Sequence, residues 1–334
     1  MKKPSFMSRE FADDVAEKLR LQMSKLKPEA EQVYQIHHNI RRMTNQFDMP
    51  GPDMKKVIDF NVPGEDCDVP VRLYIPHQAS EEPEPTFIYL HGGGFVTCSV
   101  ESHEGITRRI ASGTGYRVIS VDYRLAPQFA YPAGPDDCER VLTWAIEGYG
   151  QDEYGIDRNQ IALGGDSAGG NMTAYLAQKY RDKIKAQILF YPLMQLVDFK
   201  PPKPGPQDWL QLGFMALKFI DEYYVGDADP KDTRLSPLFE TNLKDVPPAY
   251  VLTCGLDPLR DEGKLYADRL MAHGVPVVYA HEKLMPHGFL NFSRAFPKAK
   301  KSRWTPLTSS ASIWKSLRRD RHISSRDGDL SFGG

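Results

Sequence analysis

The chain has 334 residues, 41% hydrophobic and 26% charged, with a formal net charge of −2. That balance lacks the basic footprint that nucleic-acid binding requires, and no apolar run approaches the roughly 20 residues needed to span a bilayer. Neither a nucleic-acid partner nor a membrane is therefore expected.

The N-terminus opens Met1-Lys2-Lys3, but Arg9, Glu10, Asp13 and Asp14 follow where a secretory leader would need an apolar stretch. A cytoplasmic location is the expectation. Residues 8–45 carry Phe11, Val15, Leu19, Leu26, Val33, Ile36 and Ile40 at three- and four-residue spacing, which predicts helix broken by Pro28. Val57–Phe60 and Val69–Ile75 then read as two strands around a Pro63-Gly64-Glu65-Asp66 turn. From there strands and helices alternate. Strands are predicted at Thr86–Leu90, Arg117–Val121, Ile161–Gly164, Lys185–Tyr191, Ala249–Thr253 and Val275–Tyr279. Helices are predicted at about 103–113, 134–148, 168–181 and 258–273. Such alternation implies an α/β fold, a mostly parallel eight-stranded sheet flanked by helices. The rhythm breaks at 196–228, where a proline-rich loop leads into an apolar helix through Trp209–Val225. This insertion and the N-terminal helices are expected to form a helical cap.

Within Gly165-Asp166-Ser167-Ala168-Gly169 a serine sits between glycines, after a strand and before a helix. That is the context of a nucleophile elbow, in which a strained turn lifts the serine oxygen above the sheet edge. Its glycines remove side chains that would strike the neighbouring strand and helix. The strand ending at Leu90 runs into His91-Gly92-Gly93-Gly94-Phe95. Backbone N–H groups of such a loop can approach an alkoxide closely, each donor worth roughly 2.7–4 kcal/mol. His91 reads as a brace for this loop rather than a base.

These two motifs resemble those of the hormone-sensitive-lipase family of esterases in the α/β-hydrolase superfamily. Asp122-Tyr123-Arg124-Leu125-Ala126-Pro127, Ser236-Pro237-Leu238, Pro247-Pro248-Ala249, Asp257-Pro258-Leu259-Arg260-Asp261-Glu262-Gly263 and His287-Gly288-Phe289 agree with it. The resemblance runs from about residue 55 to Lys301. It implies an α/β-hydrolase fold, oxyanion donors at the N–H groups of Gly93, Gly94 and Ala168, and a cap from residues 1–48 and 196–228. The catalytic domain would then comprise 49–195 and 229–301. One departure is Gln128, where the family usually carries glutamate, which puts a structural salt bridge in doubt. Another is the atypical tail 302–334, rich in serine and opened by Pro306, with one short helix expected at Ala311–Arg319.

A strand leading to Cys254-Gly255-Leu256-Asp257 places Asp257 at the sheet edge as the orienting acid, with Asp261 and Glu262 as rivals assigned to helix-terminal charge and pairing. His287, in the loop after the last strand, is the expected base, and His281 the alternative. Ser167, Asp257 and His287 thus form the expected triad of a carboxylesterase acting on short- to medium-chain esters through an acyl-enzyme. Another acyl hydrolase (amidase, lactonase or aryl-ester deacetylase) fits the same residues. A non-catalytic receptor on this fold, as in the plant gibberellin receptors, would lack the histidine. His37, His38, His77, His103, His273 and His322 have no metal-ligand spacing and are expected at the surface or in the cap. Neither metal nor cofactor is expected. Cys67, Cys98, Cys138 and Cys254 read as small hydrophobes in a reducing compartment. The expected partner is a small-molecule ester, and the edge strand near 275–280 is the expected homodimer surface.

Overall fold

A computed structural model of the chain describes residues 46–197, 220–296 and 299. The expected N-terminal helices, most of the cap insertion including Trp209–Phe219, and the tail 302–334 lie outside these residues. Eight strands form one sheet: β1 Lys56–Val62, β2 Val69–Ile75, β3 Glu84–Leu90, β4 Arg117–Val121, β5 Ile156–Asp166, β6 Ile184–Phe190, β7 Ala249–Leu256 and β8 Val277–Pro286. Their spatial order is β1-β2-β4-β3-β5-β6-β7-β8. β2 runs antiparallel to β1 and β4, and every other pairing is parallel. The helices are α1 Glu104–Thr114, α2 Ala133–Glu147, α3 Gln151–Tyr154, α4 Ala168–Lys179 and α5 Arg260–Ala272.

The central strands are buried on both faces, so every residue of β3 and β4 is buried and neither strand has a solvent side. Alternation still sorts their side chains between two layers. Ile88, Leu90, Ile119 and Leu163 meet Cys138, Val141 and Leu142 of α2 and Met172 and Leu176 of α4. Phe87, Tyr89, Val118, Ala162 and Ile188 face the other way, against Ile106, Ile110 and Ala111 of α1. A third cluster joins Leu189 and Val251 to Tyr266, Ala267 and Leu270 of α5. Helices therefore seal both faces, and the loops at the carboxyl ends of the parallel strands form the open crevice where α/β proteins bind ligands.

Two strands outrun their apolar stretches. β5 begins at Ile156 rather than Ile161, through exposed Arg158 and Asn159. β8 starts at Val277 and continues to Pro286 through His281, Glu282 and Lys283. In β8 backbone pairing with β7 sustains the polar segment that hydropathy alone assigns to loop, whereas in β5 the polar residues form a bulge between the Glu84–Ile156 and Thr86–Ile161 pairs. β8 ends the sheet, so its polar side chains reach solvent while its inner edge bonds to β7. The four-residue α3 lay below the length at which periodicity is readable. Gln128 is exposed, and Arg124 pairs instead with Asp137 through its Nε and Nη2.

The Glu84–Arg117 pair at the base of β3 and β4 is almost wholly buried, with side chains 8% and 5% exposed. Arg117 also donates to the Ser80 carbonyl. Glu84→Ala leaves that guanidinium buried without its charge partner and should cost about 3–5 kcal/mol. Asp59→Ala, which removes the exposed partner of Arg72, should cost less than about 1 kcal/mol. Urea unfolding midpoints of the two variants measure the contrast.

Candidate active site

Strand β5 ends at Asp166 and α4 begins at Ala168, leaving Ser167 alone to turn the chain. It does so at φ 52°, ψ −116°, a conformation that costs a non-glycine residue about 1–3 kcal/mol. Surrounding backbone bonds hold it there. The Ser167 N–H donates to the Phe190 carbonyl, and the Ser167 carbonyl accepts from the N–H groups of Asn171 and Leu193. Close packing around the turn admits no side chain at either elbow glycine. A Cβ on Gly165 would lie 2.3 Å from the Leu90 carbonyl oxygen, and one on Gly169 only 1.9 Å from the same atom.

That carbonyl ends β3, and the next residues form the loop expected to bind an oxyanion. Gly93 and Gly94 adopt φ 120° and 62°, conformations open chiefly to glycine. The Gly93 carbonyl accepts from the Thr97 N–H at 3.0 Å, which fixes the turn. No hydrogen bond to another described residue uses the N–H groups of Gly93, Gly94 or Ala168. His91 is fully buried. Its Nδ1 lies 2.7 Å from the Gly92 carbonyl, and its ring stacks on Tyr123 at 4.2 Å. It braces the loop, as the sequence implied. Residues from the end of the expected insertion pack on this loop: Tyr224 stacks on Phe95 at 4.0 Å, and Ile220 lies against Gly94.

The acid and base come from neighbouring strands. β7 and β8 pair until Leu256 faces Pro286, with a bulge between Cys254 and Leu256. The residues just beyond, Asp257 and His287, are thereby brought together. The Asp257 Oδ2 lies 2.8 Å from His287 Nδ1, and His287 Nε2 lies 2.9 Å from the Ser167 Oγ. Asp257 is fully enclosed, whereas the imidazole keeps 31% of its side-chain surface exposed. The Leu259 N–H donates to the other Asp257 oxygen and fixes the carboxylate plane.

The rival residues lie elsewhere. Asp261 pairs with Arg260 at the surface. Glu262 is half-buried and accepts from the Met194 N–H at 2.6 Å and from the Gln195 amide at 3.0 Å. Burial raises its carboxyl to about 8 in spite of those bonds. It ties α5 to the segment Met194–Gln195. His281 sits on β8 with Nδ1 3.0 Å from the Thr253 Oγ1. His77 and His273 are exposed as expected, and His37, His38 and His322 lie outside the described residues. His103 is a correction. It is 1% exposed, beneath the oxyanion loop, because Asp166 and Asn291 give its ring polar partners inside the core. Its position beside charged Glu104 concealed that burial. All four cysteines are free, with Cys98, Cys138 and Cys254 buried.

Opposing effects act on His287. Burial disfavours its cation, but the charge and hydrogen bond of Asp257 outweigh burial, aided by Asp166 and Glu262, and the net shift is upward from 6.5. A Ser–His–Asp relay beneath unengaged backbone donors, set in the crevice of a doubly covered parallel sheet, defines a serine hydrolase of the α/β type.

Comparison with known proteins agrees. Residues 87–291 match the family described as alpha/beta hydrolase fold. The chain is 36% identical to the esterase LipI of Mycobacterium tuberculosis, over 73% of this chain and 78% of that protein. It is 33% identical to the ethyl acetate hydrolase of Pseudomonas putida, over 69% and 74% of the two chains. The solved hyperthermophilic esterase of Pyrobaculum calidifontis superposes with a TM-score of 0.79 at 30% identity, covering 94% of this chain and all of that one. The chain belongs to the α/β-hydrolase family, within the serine carboxylic-ester hydrolases related to hormone-sensitive lipase. Among the described residues no helix is long and apolar enough to cross a membrane.

The upward shift of His287 sets a pH dependence. The base is active as neutral imidazole, so kcat/KM should rise with pH through a midpoint above 6.5. The same shift stabilises the fold fully only below the unfolded-state value, and that contribution is lost as pH rises through the folded one. Asp257→Asn removes the charge that overcomes burial, so the imidazole midpoint should fall. NMR titration of the ring in that variant checks the direction, and a midpoint that stayed put would refute the cause.

Proposed function

We propose that Ser167 is the nucleophile, His287 its general base and then acid, and Asp257 the orienting acid in hydrolysis of short- to medium-chain carboxylic esters. His287 Nε2 takes the Ser167 proton as Oγ attacks the ester carbonyl. The developing oxyanion accepts from the N–H groups of Gly93, Gly94 and Ala168. His287 then delivers the proton to the departing alkoxide, leaving an acyl-serine and a free alcohol. Water, deprotonated by the same imidazole, cleaves the acyl-serine and restores the hydroxyl. The observation that carries this reading is the continuous relay Ser167–His287–Asp257, at 2.9 and 2.8 Å, with Ser167 held at positive φ.

A short acyl group is the preferred substrate. Support comes from the crowding of Gly94 by Ile220 and of Phe95 by Tyr224, which brings the cap down onto the oxyanion loop. The name of the ethyl acetate hydrolase, with its two-carbon acyl group, agrees. The expected roof, Trp209 to Phe219, lies outside the described residues. A cytoplasmic location is supported by four free thiols. Pairing of two copies through β8 is supported by its place at the sheet edge and by Leu284, 57% exposed.

Ser167→Ala should retain less than about 1% of the wild-type rate on an activated ester with an unchanged melting temperature, since triad members act as a unit. An organophosphate should label Ser167, as read by peptide mass. Rates on aryl esters from acetate to palmitate should peak within about two to eight carbons, each accommodated methylene adding roughly 0.8 kcal/mol until the roof is met. Rates that climb through sixteen carbons overturn that preference, and faster turnover of matching anilides would instead identify an amidase.

A further inference from the structure

The core beneath the site holds a polar residue that the relay does not use. His103, just before α1, is 1% exposed, and its two ring nitrogens face three different segments. The Ser102 Oγ lies 2.9 Å from Nδ1, which ties the ring to the turn at Ser99–Ser102. Nε2 lies 3.3 and 3.4 Å from the two Asp166 oxygens, which can only accept from its N–H, and 2.9 Å from the Asn291 side-chain amide, whose otherwise unpartnered oxygen shares that hydrogen when it faces the ring. Asp166 immediately precedes Ser167, and its Oδ1 accepts from the Gly92 N–H at 2.8 Å and the Tyr89 hydroxyl at 2.6 Å. Gly92 immediately precedes the donor Gly93. Asn291 lies four residues after His287, in a loop that Arg109 also holds through the Leu290 carbonyl.

We propose that His103 is a positioning residue that joins the nucleophile turn, the oxyanion loop and the His287 loop through Asp166 and Asn291. Asp166 and Asn291 meet at one ring nitrogen while the other is tied to Ser102, so a planar ring held at both nitrogens keeps the two segments against each other, whereas a flexible chain would only satisfy them. The Tyr89 and Gly92 donors to Asp166 both fall on Oδ1, and the partner of its Oδ2 is His103, so the ring completes the carboxylate while also reaching Asn291. Catalytic groups tolerate displacement of only about 0.5 Å, and an error of about 1 Å can cost a hundredfold in rate. A link spanning all three segments is placed where such errors would arise. This role rests on the assignment of Ser167 as nucleophile.

The test uses His103→Ala, His103→Gln and Asn291→Ala in the full chain, with each preparation titrated by a chromogenic organophosphonate. Turnover is then expressed per labelled serine, which removes any loss from misfolded protein. His103→Ala and Asn291→Ala should each lower kcat by about tenfold or more with KM within about twofold, the pattern of an effect confined to the transition state. The phosphonate inactivation rate should fall in parallel, because it draws on the same oxyanion donors. His103→Gln should recover part of the loss, and the double variant should fall little below the worse single one. If His103→Ala does not fold, His103→Gln and Asn291→Ala carry the measurement. A kcat per labelled serine within about twofold of wild type in the folded variants overturns the positioning role. Failure of the wild-type protein to label at Ser167 overturns the nucleophile assignment instead.

Discussion

One backbone atom sets the geometry of the site. The Leu90 carbonyl at the end of β3 is the point against which both elbow glycines pack, and a Cβ at either position would lie within 2.3 Å of it. Contact this close makes the end of β3 the floor of the nucleophile turn. His91 and the three glycines follow directly, so the loop with unengaged N–H groups lies beside the serine as a consequence. The positive φ of Ser167 is the strained part of the arrangement, held by backbone bonds to β6 and α4. Strain of that kind persists only where surrounding structure over-determines it.

A second constraint aligns the other two members of the relay. Asp257 and His287 are 30 residues apart and meet because β7 and β8 are parallel and end together. Between the Cys254–Glu282 and Leu256–Pro286 pairs β8 advances four residues while β7 advances two, so Leu256 pairs with Pro286. Gly255 is needed there, since a Cβ would lie 1.9 Å from the Lys283 carbonyl oxygen. Each strand then delivers its next residue to the same point. The enclosed carboxylate holds the imidazole, which keeps one side toward the crevice. Beneath them Asp166, His103, Tyr89 and Asn291 form a buried polar layer whose charge also reaches the ring, as the upward shift of His287 records.

Much of this was legible from residue types and order. All eight strands fell near their apolar runs, because buried parallel strands leave few polar residues to blur the pattern. Glycine spacing around Ser167 and in residues 92–94 pointed to close backbone approach, and the built geometry has that approach. Hydropathy failed at β8 beyond Tyr279, where pairing, not burial, maintains the strand, and at β5 before Ile161, where a polar bulge interrupts it. The first error mattered for the site, because it left His281 near the supposed strand end, whereas the strand carries past it and releases the chain at His287. His103 was misplaced for a related reason. A histidine beside a glutamate reads as surface, and nothing local announces an aspartate 63 residues away.

The sequence by itself determined the sheet, the covering of its two faces, the nucleophile turn and the loop of glycines. Each depends on local properties: periodicity, the absence of Cβ atoms, and residues adjacent in the chain. The sequence preferred Asp257 to its rivals Asp261 and Glu262 from its place at a strand end, and tertiary structure set the distances that bring it, and not them, against the imidazole. It also decided that Glu262 holds the Met194–Gln195 segment and that His103 lies buried against Asp166. These are distances between residues far apart in the chain, set by strand register and by the fit of α1 and α5 against the sheet, and no local pattern encodes them.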